Sequence, residues 1–137
     1  MASIWWEEPI AVAADTAWAA LRRVGKPHEL FAPVLTAAAL DGDVRTVTFA
    51  NGMTVRERIV ALDEPHRRLC YAALDAMFEH HSASMQIVPT GEDTCRFVWI
   101  SDFLPDDRAD MVGPLVEQGA RALRANLEAA TSPLASP

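Results

Sequence analysis

Between residues 34 and 103 the chain alternates apolar and polar side chains with a period of two, and it ends in one long stretch of helical period. The two-residue period marks strands with one buried face. Six such segments are read, at residues 34–40, 44–50, 53–62, 67–74, 82–88 and 94–103. A further strand over residues 3–12 sets Trp5 and Trp6 on opposite faces. The links are short and turn-rich: Asp41-Gly42-Asp43, Asn51-Gly52, residues 63–66, a looser span at 75–81, and residues 89–93. Short links between neighbouring strands imply an antiparallel meander. In the last segment, residues 106–130, Met111, Leu115, Val116, Gly119, Leu123 and Leu127 trace one stripe. One helix cannot cover both faces of a seven-stranded sheet, so the sheet must curl around it. Such a grip leaves space between helix and sheet, and that space is the natural ligand site.

Two short helices are expected after the first strand. Asp15 is a good N-cap for residues 16–23, where Trp18 and Leu21 share a face as core anchors. Gly25-Lys26-Pro27 ends that helix, and residues 28–32 form a further turn closed by Pro33. Pro114 either marks the true start of the last helix or bends its first turns. The reading is one domain over residues 1–130, followed by a flexible tail at 131–137.

With 137 residues, half of them hydrophobic, the chain can bury a core of its own. Its net charge of −7 argues against a nucleic-acid backbone or an anionic membrane surface as partner. The N-terminal residues lack the basic and apolar regions of a signal peptide, and no run reaches the ~18 apolar residues of a bilayer span. Cys70 and Cys95 lie in strand-like segments and read as buried free thiols. A cytoplasmic monomer or homodimer is the expectation.

The hairpin over residues 45–57 carries the chemistry. A two-residue turn at Asn51-Gly52 would set apolar residues against polar ones. A type I turn centred on Ala50 and Asn51, with Gly52 as a left-handed bulge, instead pairs Phe49 with Met53, Val47 with Val55 and Arg45 with Glu57. Patterning selects the second register, because a slip of one residue swaps the faces. It leaves Arg45 and Glu57 on the inner wall, where charges persist only when paired or hydrogen-bonded. They can serve as a structural ion pair, as a polar anchor for a ligand, or, through Glu57, in acid/base catalysis.

Cys95, Phe97, Trp99, Ser101 and Phe103 share a face that reads as an aromatic wall, and a buried Trp99 needs a partner for its indole N–H. Tyr71 is placed inward, within reach of Arg45 and Glu57, and Met85 is an adaptable filler on the next strand. His80 and His81 point in opposite directions, and one of the two is a proton-transfer candidate, with His80 the one carried into the enzyme scheme. No H-E-x-x-H, C-x-x-C or carboxylate loop suggests a metal, and no glycine-rich phosphate loop suggests a cofactor.

Several stretches resemble the polyketide cyclase/dehydrase and lipid-transport family of the START and Bet v 1-like superfamily. They are Asp15-Thr16-Ala17-Trp18, residues 44–52, residues 55–63, residues 68–71, Val98-Trp99 and Asp102-Phe103-Leu104-Pro105; together they span about residues 3–128. The resemblance implies an α+β helix-grip fold, a seven-stranded antiparallel sheet curled around a long C-terminal helix with an apolar cavity inside. Relatives often carry a proline and an aromatic where this chain has His80-His81. The leading functional expectation is binding of a small hydrophobic molecule, aromatic, polyketide-like or lipid-like. Arg45, Phe49, Met53, Glu57, Tyr71, Met85, Phe97, Trp99, Met111, Leu115 and Gly119 would form the site. One alternative is a cyclase or dehydratase using Glu57, Tyr71 or His80 for proton transfer. Another is a protein-interaction module using exposed aromatics such as Trp5 or Trp6.

Overall fold

The computed structural model describes residues 1–131. Strand β1 (Ala2–Ile10) leads into helices α1 (Ala14–Leu21) and α2 (Pro27–Leu30). Six strands follow: β2 (Leu35–Asp41), β3 (Val44–Phe49), β4 (Thr54–Asp63), β5 (Arg68–Ala73), β6 (His80–Pro89) and β7 (Cys95–Leu104). A single 3-10 turn at Asp106–Arg108 then opens the 23-residue helix α3 (Ala109–Thr131). The strands form one antiparallel sheet in the order β1-β7-β6-β5-β4-β3-β2, so the meander closes by laying the last strand beside the first. This is the expected α+β helix grip. Of the expected tail, all but Thr131, the last residue of α3, lies outside the described residues.

The β3–β4 hairpin takes the register that patterning selects. Gly52 N–H donates to the Phe49 carbonyl at 2.9 Å, and Phe49 N–H donates to the Met53 carbonyl at 2.8 Å. Gly52 sits at φ +90°, a conformation that favours glycine. Val47 then opposes Val55, and Arg45 opposes Glu57. Register shifts at Leu35/Ala37 and Ile59/Ala61 interrupt the β2–β3 and β4–β5 ladders, the kind of irregularity with which a sheet can curl.

Two local expectations need correction. Asp15 does not cap α1: the N-cap position is Ala13, with no side-chain cap. Asp15 lies inside the first turn, where its charge suits the helix dipole, and it pairs with Arg67 at 2.7 Å. Helix α3 begins at Ala109, ahead of Pro114, so the proline does not mark its start and lies inside its first turns. Its missing N–H leaves one early carbonyl unbonded, on an exposed side of the helix where water can reach it.

The core lies between the concave face and α3. Ile10, Leu69, Ile87 and Phe97 supply the sheet side, and Ala120, Leu123 and Leu127 supply the helix side. Trp18 is buried and donates its indole N–H to Glu64 at 2.9 Å, which ties α1 to the β4–β5 turn. Trp6 faces inward and Trp5 stands 65% exposed on the outer face. Cys95 is buried, Cys70 is partly buried, and both are free thiols.

Candidate functional site

Toward the N-terminal half of α3 the interior does not close. A cavity of about 100 Å³ remains between the concave sheet and the helix. Its walls are mainly apolar. Phe49 and Met53 come from the β3–β4 hairpin, Met85 from β6, Trp99 from β7, and Met111, Leu115 and Gly119 from α3. Arg45, Glu57 and Tyr71 complete the expected residues that line it. Of the five methionines in the chain, Met53, Met77, Met85 and Met111 all face this space. Unbranched thioether side chains give a wall that can reshape around different occupants.

Two expected site residues are elsewhere. Phe97 is 0% exposed in the packed core and does not line the cavity; its ring centroid is 5.9 Å from that of Trp99, which does. His80 is exposed and does not line the cavity; it borders an outer groove with Ser3 and Asp102. The inward histidine is His81. The signal was present, since residues 81, 83, 85 and 87 share parity on β6, but a strand begun at Ser82 hides it. Phe31, Met77, Phe78 and Ser101 also line the cavity. Ser101 shares the face of Trp99 and was open to the same parity argument. Phe31 and Met77 sit outside the strands, where no periodicity marks them.

Trp99 is held from two sides. Its indole N–H donates to the Tyr71 hydroxyl at 3.1 Å. Its six-membered ring lies against Gly119, where a Cβ would stand 2.9 Å from Cζ3 and 3.2 Å from Cη2. Glycine there lets the indole lie against the helix.

Arg45 is 4% exposed and Glu57 13%. Arg45 Nε donates to Glu57 Oε1 at 2.8 Å, and Nη1 donates to the Val24 carbonyl at 3.2 Å. The guanidinium lies 5.2 Å from the Tyr71 ring centroid, a cation–π distance. Burial raises the Glu57 pKa above the usual carboxylate range, and the opposing pull of Arg45 does not fully cancel it. Burial, and then the Glu57 charge, raise the Tyr71 pKa, so this phenol stays protonated.

His81 forms a second polar group. Ala73 N–H donates to its Nδ1 at 2.9 Å, and its Nε2 lies 3.3 Å from Ser101 Oγ. Burial, with the neighbouring His80 adding to it, lowers the His81 pKa to about 4. The ring packs between Tyr71 and Phe78, with centroids at 5.8 and 4.9 Å. Among the described residues no three His, Cys, Asp or Glu side chains gather to hold a metal ion.

A family model described as polyketide cyclase/dehydrase and lipid transport matches residues 1–136. The chain belongs to that family. No curated protein matches its sequence. Solved structures give the same fold. XoxI from Bacillus cereus is 20% identical with a TM-score of 0.81, over 93% of this chain and 96% of that one. A protein from Thermobifida fusca is 25% identical with a TM-score of 0.77, over 93% and 94% of the two chains. Truncated norcoclaurine synthase from Thalictrum flavum is 19% identical with a TM-score of 0.74, over 96% and 94%. The likeness to norcoclaurine synthase is one of fold: a seven-stranded antiparallel sheet gripping a long C-terminal helix. Among its described residues no helix is long and apolar enough to cross a membrane.

Proposed function

We propose that residues 1–130 act as one ligand-binding domain for a small, mainly apolar molecule held in the cavity beneath α3. The observation that carries this reading is the Arg45–Glu57 pair, set in apolar walls beside open space. Well-packed apolar side chains of similar volume often serve stability as well as a buried ion pair does. A pair retained at a cavity wall fits the recognition of one polar group on an otherwise apolar guest. The methionine-rich lining suits a guest of aromatic or lipid-like shape. The two free thiols suit a cytoplasmic setting.

Native mass spectrometry of the protein purified from its source cells, followed by extraction, tests the reading. A co-purifying small molecule that is lost from an Arg45→Met variant supports it. An empty protein that binds no member of a library of small aromatic and fatty compounds refutes it.

A second reading has one observation in its favour. Glu57 is a largely buried carboxyl on the cavity wall whose pKa is raised by burial, the kind of perturbed group that proton-transfer sites use. That supports a cyclase- or dehydratase-type enzyme with Glu57 moving the proton and Tyr71 donating to the developing oxyanion. His80 drops out of this scheme because it faces solvent. In the enzyme reading Glu57→Gln abolishes turnover while binding persists; unchanged turnover in that variant removes Glu57 from catalysis.

A further inference from the structure

We propose that the cavity selects its guest by a carbonyl oxygen, which accepts hydrogen bonds from the hydroxyls of Tyr71 and Ser101. The inference rests on the cavity being a ligand site and specifies the chemistry of that guest. Each hydroxyl oxygen already accepts from a nitrogen that cannot reverse its role. The indole of Trp99 only donates, so its bond to Tyr71 leaves the phenol proton unplaced. The His81 ring is fixed by its other nitrogen. Ala73 N–H is a backbone donor, so Nδ1 must present a lone pair, and the neutral ring carries its proton on Nε2. Nε2–H therefore donates to Ser101 Oγ and leaves the serine proton unplaced in turn. Neither hydroxyl has another side-chain or backbone partner among the described residues.

Both side chains line the cavity. Tyr71, Ala83 and Ser101 form one row across β5, β6 and β7, with only the Ala83 methyl between the two hydroxyl-bearing residues. The length of tyrosine carries its hydroxyl across that methyl to Trp99, two positions from Ser101 on β7. Two donors thus stand on one wall, each with its oxygen occupied by a fixed N–H. A buried donor without an acceptor is costly, so the wall favours a guest that supplies one. Arg45 is already matched by Glu57, and the Glu57 charge disfavours an anion nearby. The acceptor that fits is neutral: a ketone, aldehyde or ester carbonyl.

The test uses acetophenone and α-methylstyrene, in which a CH2 group replaces the carbonyl oxygen. Calorimetric affinities of both probes are measured for the native protein, Tyr71→Phe and Ser101→Ala. The ketone-to-alkene affinity ratio should fall about fivefold in each variant, the size of one hydrogen bond. Infrared spectra of carbon-13 carbonyl acetophenone bound to the native protein should show the C=O stretch below its position in alkane solvent. That measurement needs no variant to fold. An unchanged ratio in both variants, or a bound C=O stretch at the alkane position, overturns the proposal and leaves the cavity reading intact. Failure of both probes to bind overturns this proposal, and the cavity reading falls with it when the wider library of aromatic and fatty compounds also fails to bind.

Discussion

The Arg45–Glu57 pair makes a prediction that separates structural from functional roles. With both side chains buried, Glu57→Leu leaves a guanidinium facing only the Val24 carbonyl and the Tyr71 ring. Breaking a buried pair from one side costs about 3–5 kcal/mol. Arg45→Met should cost less. The stranded Glu57 can shed its charge by taking a proton, toward which burial already pushes it, whereas arginine cannot be deprotonated. The double variant Arg45→Met/Glu57→Leu fills the same space with apolar atoms and should lie within ~1 kcal/mol of the native protein, or above it. The expected coupling is therefore about 3 kcal/mol or more, far outside additivity for independent sites. Urea unfolding monitored by tryptophan fluorescence measures all four proteins, with an unchanged m value required for the comparison. A double variant as unstable as the sum of its parents, or an Arg45→Met loss larger than that of Glu57→Leu, would refute this reasoning. If the double variant is stable, its loss of ligand affinity identifies what the pair is kept for.

Three further outcomes follow from the same geometry. Gly119→Ala should destabilise by roughly 1 kcal/mol, because crowding against Trp99 at 2.9 Å, at ~1–3 kcal/mol, outweighs the ~1 kcal/mol helix-propensity gain; a higher Tm in calorimetry contradicts this. His81 is held neutral, with its pKa lowered to about 4, below that of the unfolded chain. It therefore contributes stability that is fully present above pH ~6.5 and lost as the pH falls toward ~4, up to roughly 3 kcal/mol. Unfolding curves of His81→Gln should be flatter across that window than the native ones, and parallel curves count against the assignment. Phe97→Leu should lower stability by ~1–2 kcal/mol while leaving probe affinity nearly unchanged, since Phe97 is core and not cavity wall; a tenfold affinity loss in calorimetry assigns it to the site instead.

Facing was legible in the sequence, and depth was not. The two-residue period fixed which side chains of the β3–β4 hairpin look inward, because a one-residue slip would expose Val47 and Val55. The same period put Phe97 and Trp99 on one face, yet it could not tell which of them borders the open space. That depends on a third element: Gly119 of α3 lets the Trp99 indole lie against the helix at the cavity wall, and no pattern within β7 records it. The histidines show a different limit. Parity would have chosen His81 over His80, but the strand start was set two residues late, and element boundaries carry the least periodic signal. Asp15 was misread for a related reason. Its residue type suits an N-cap, and the helix begins two residues before the expected Thr16, at Ala14.

The grip therefore divides along α3. Leu123 and Leu127, in its C-terminal half, meet Phe97, Ile87 and Leu69 in close packing. Met111, Leu115 and Gly119, in its N-terminal half, face the cavity and its polar groups. Fully buried apolar side chains concentrate around the C-terminal half of α3, so most of the hydrophobic stabilisation resides there. The region beneath its N-terminal half can then carry an ion pair, two cavity-wall hydroxyls and a neutral histidine without unfolding the chain. Polar substitutions around the cavity should consequently change binding more than stability when they keep every buried donor and charge matched. They should change stability when they leave one stranded, and that distinction is what the paired Arg45 and Glu57 variants measure.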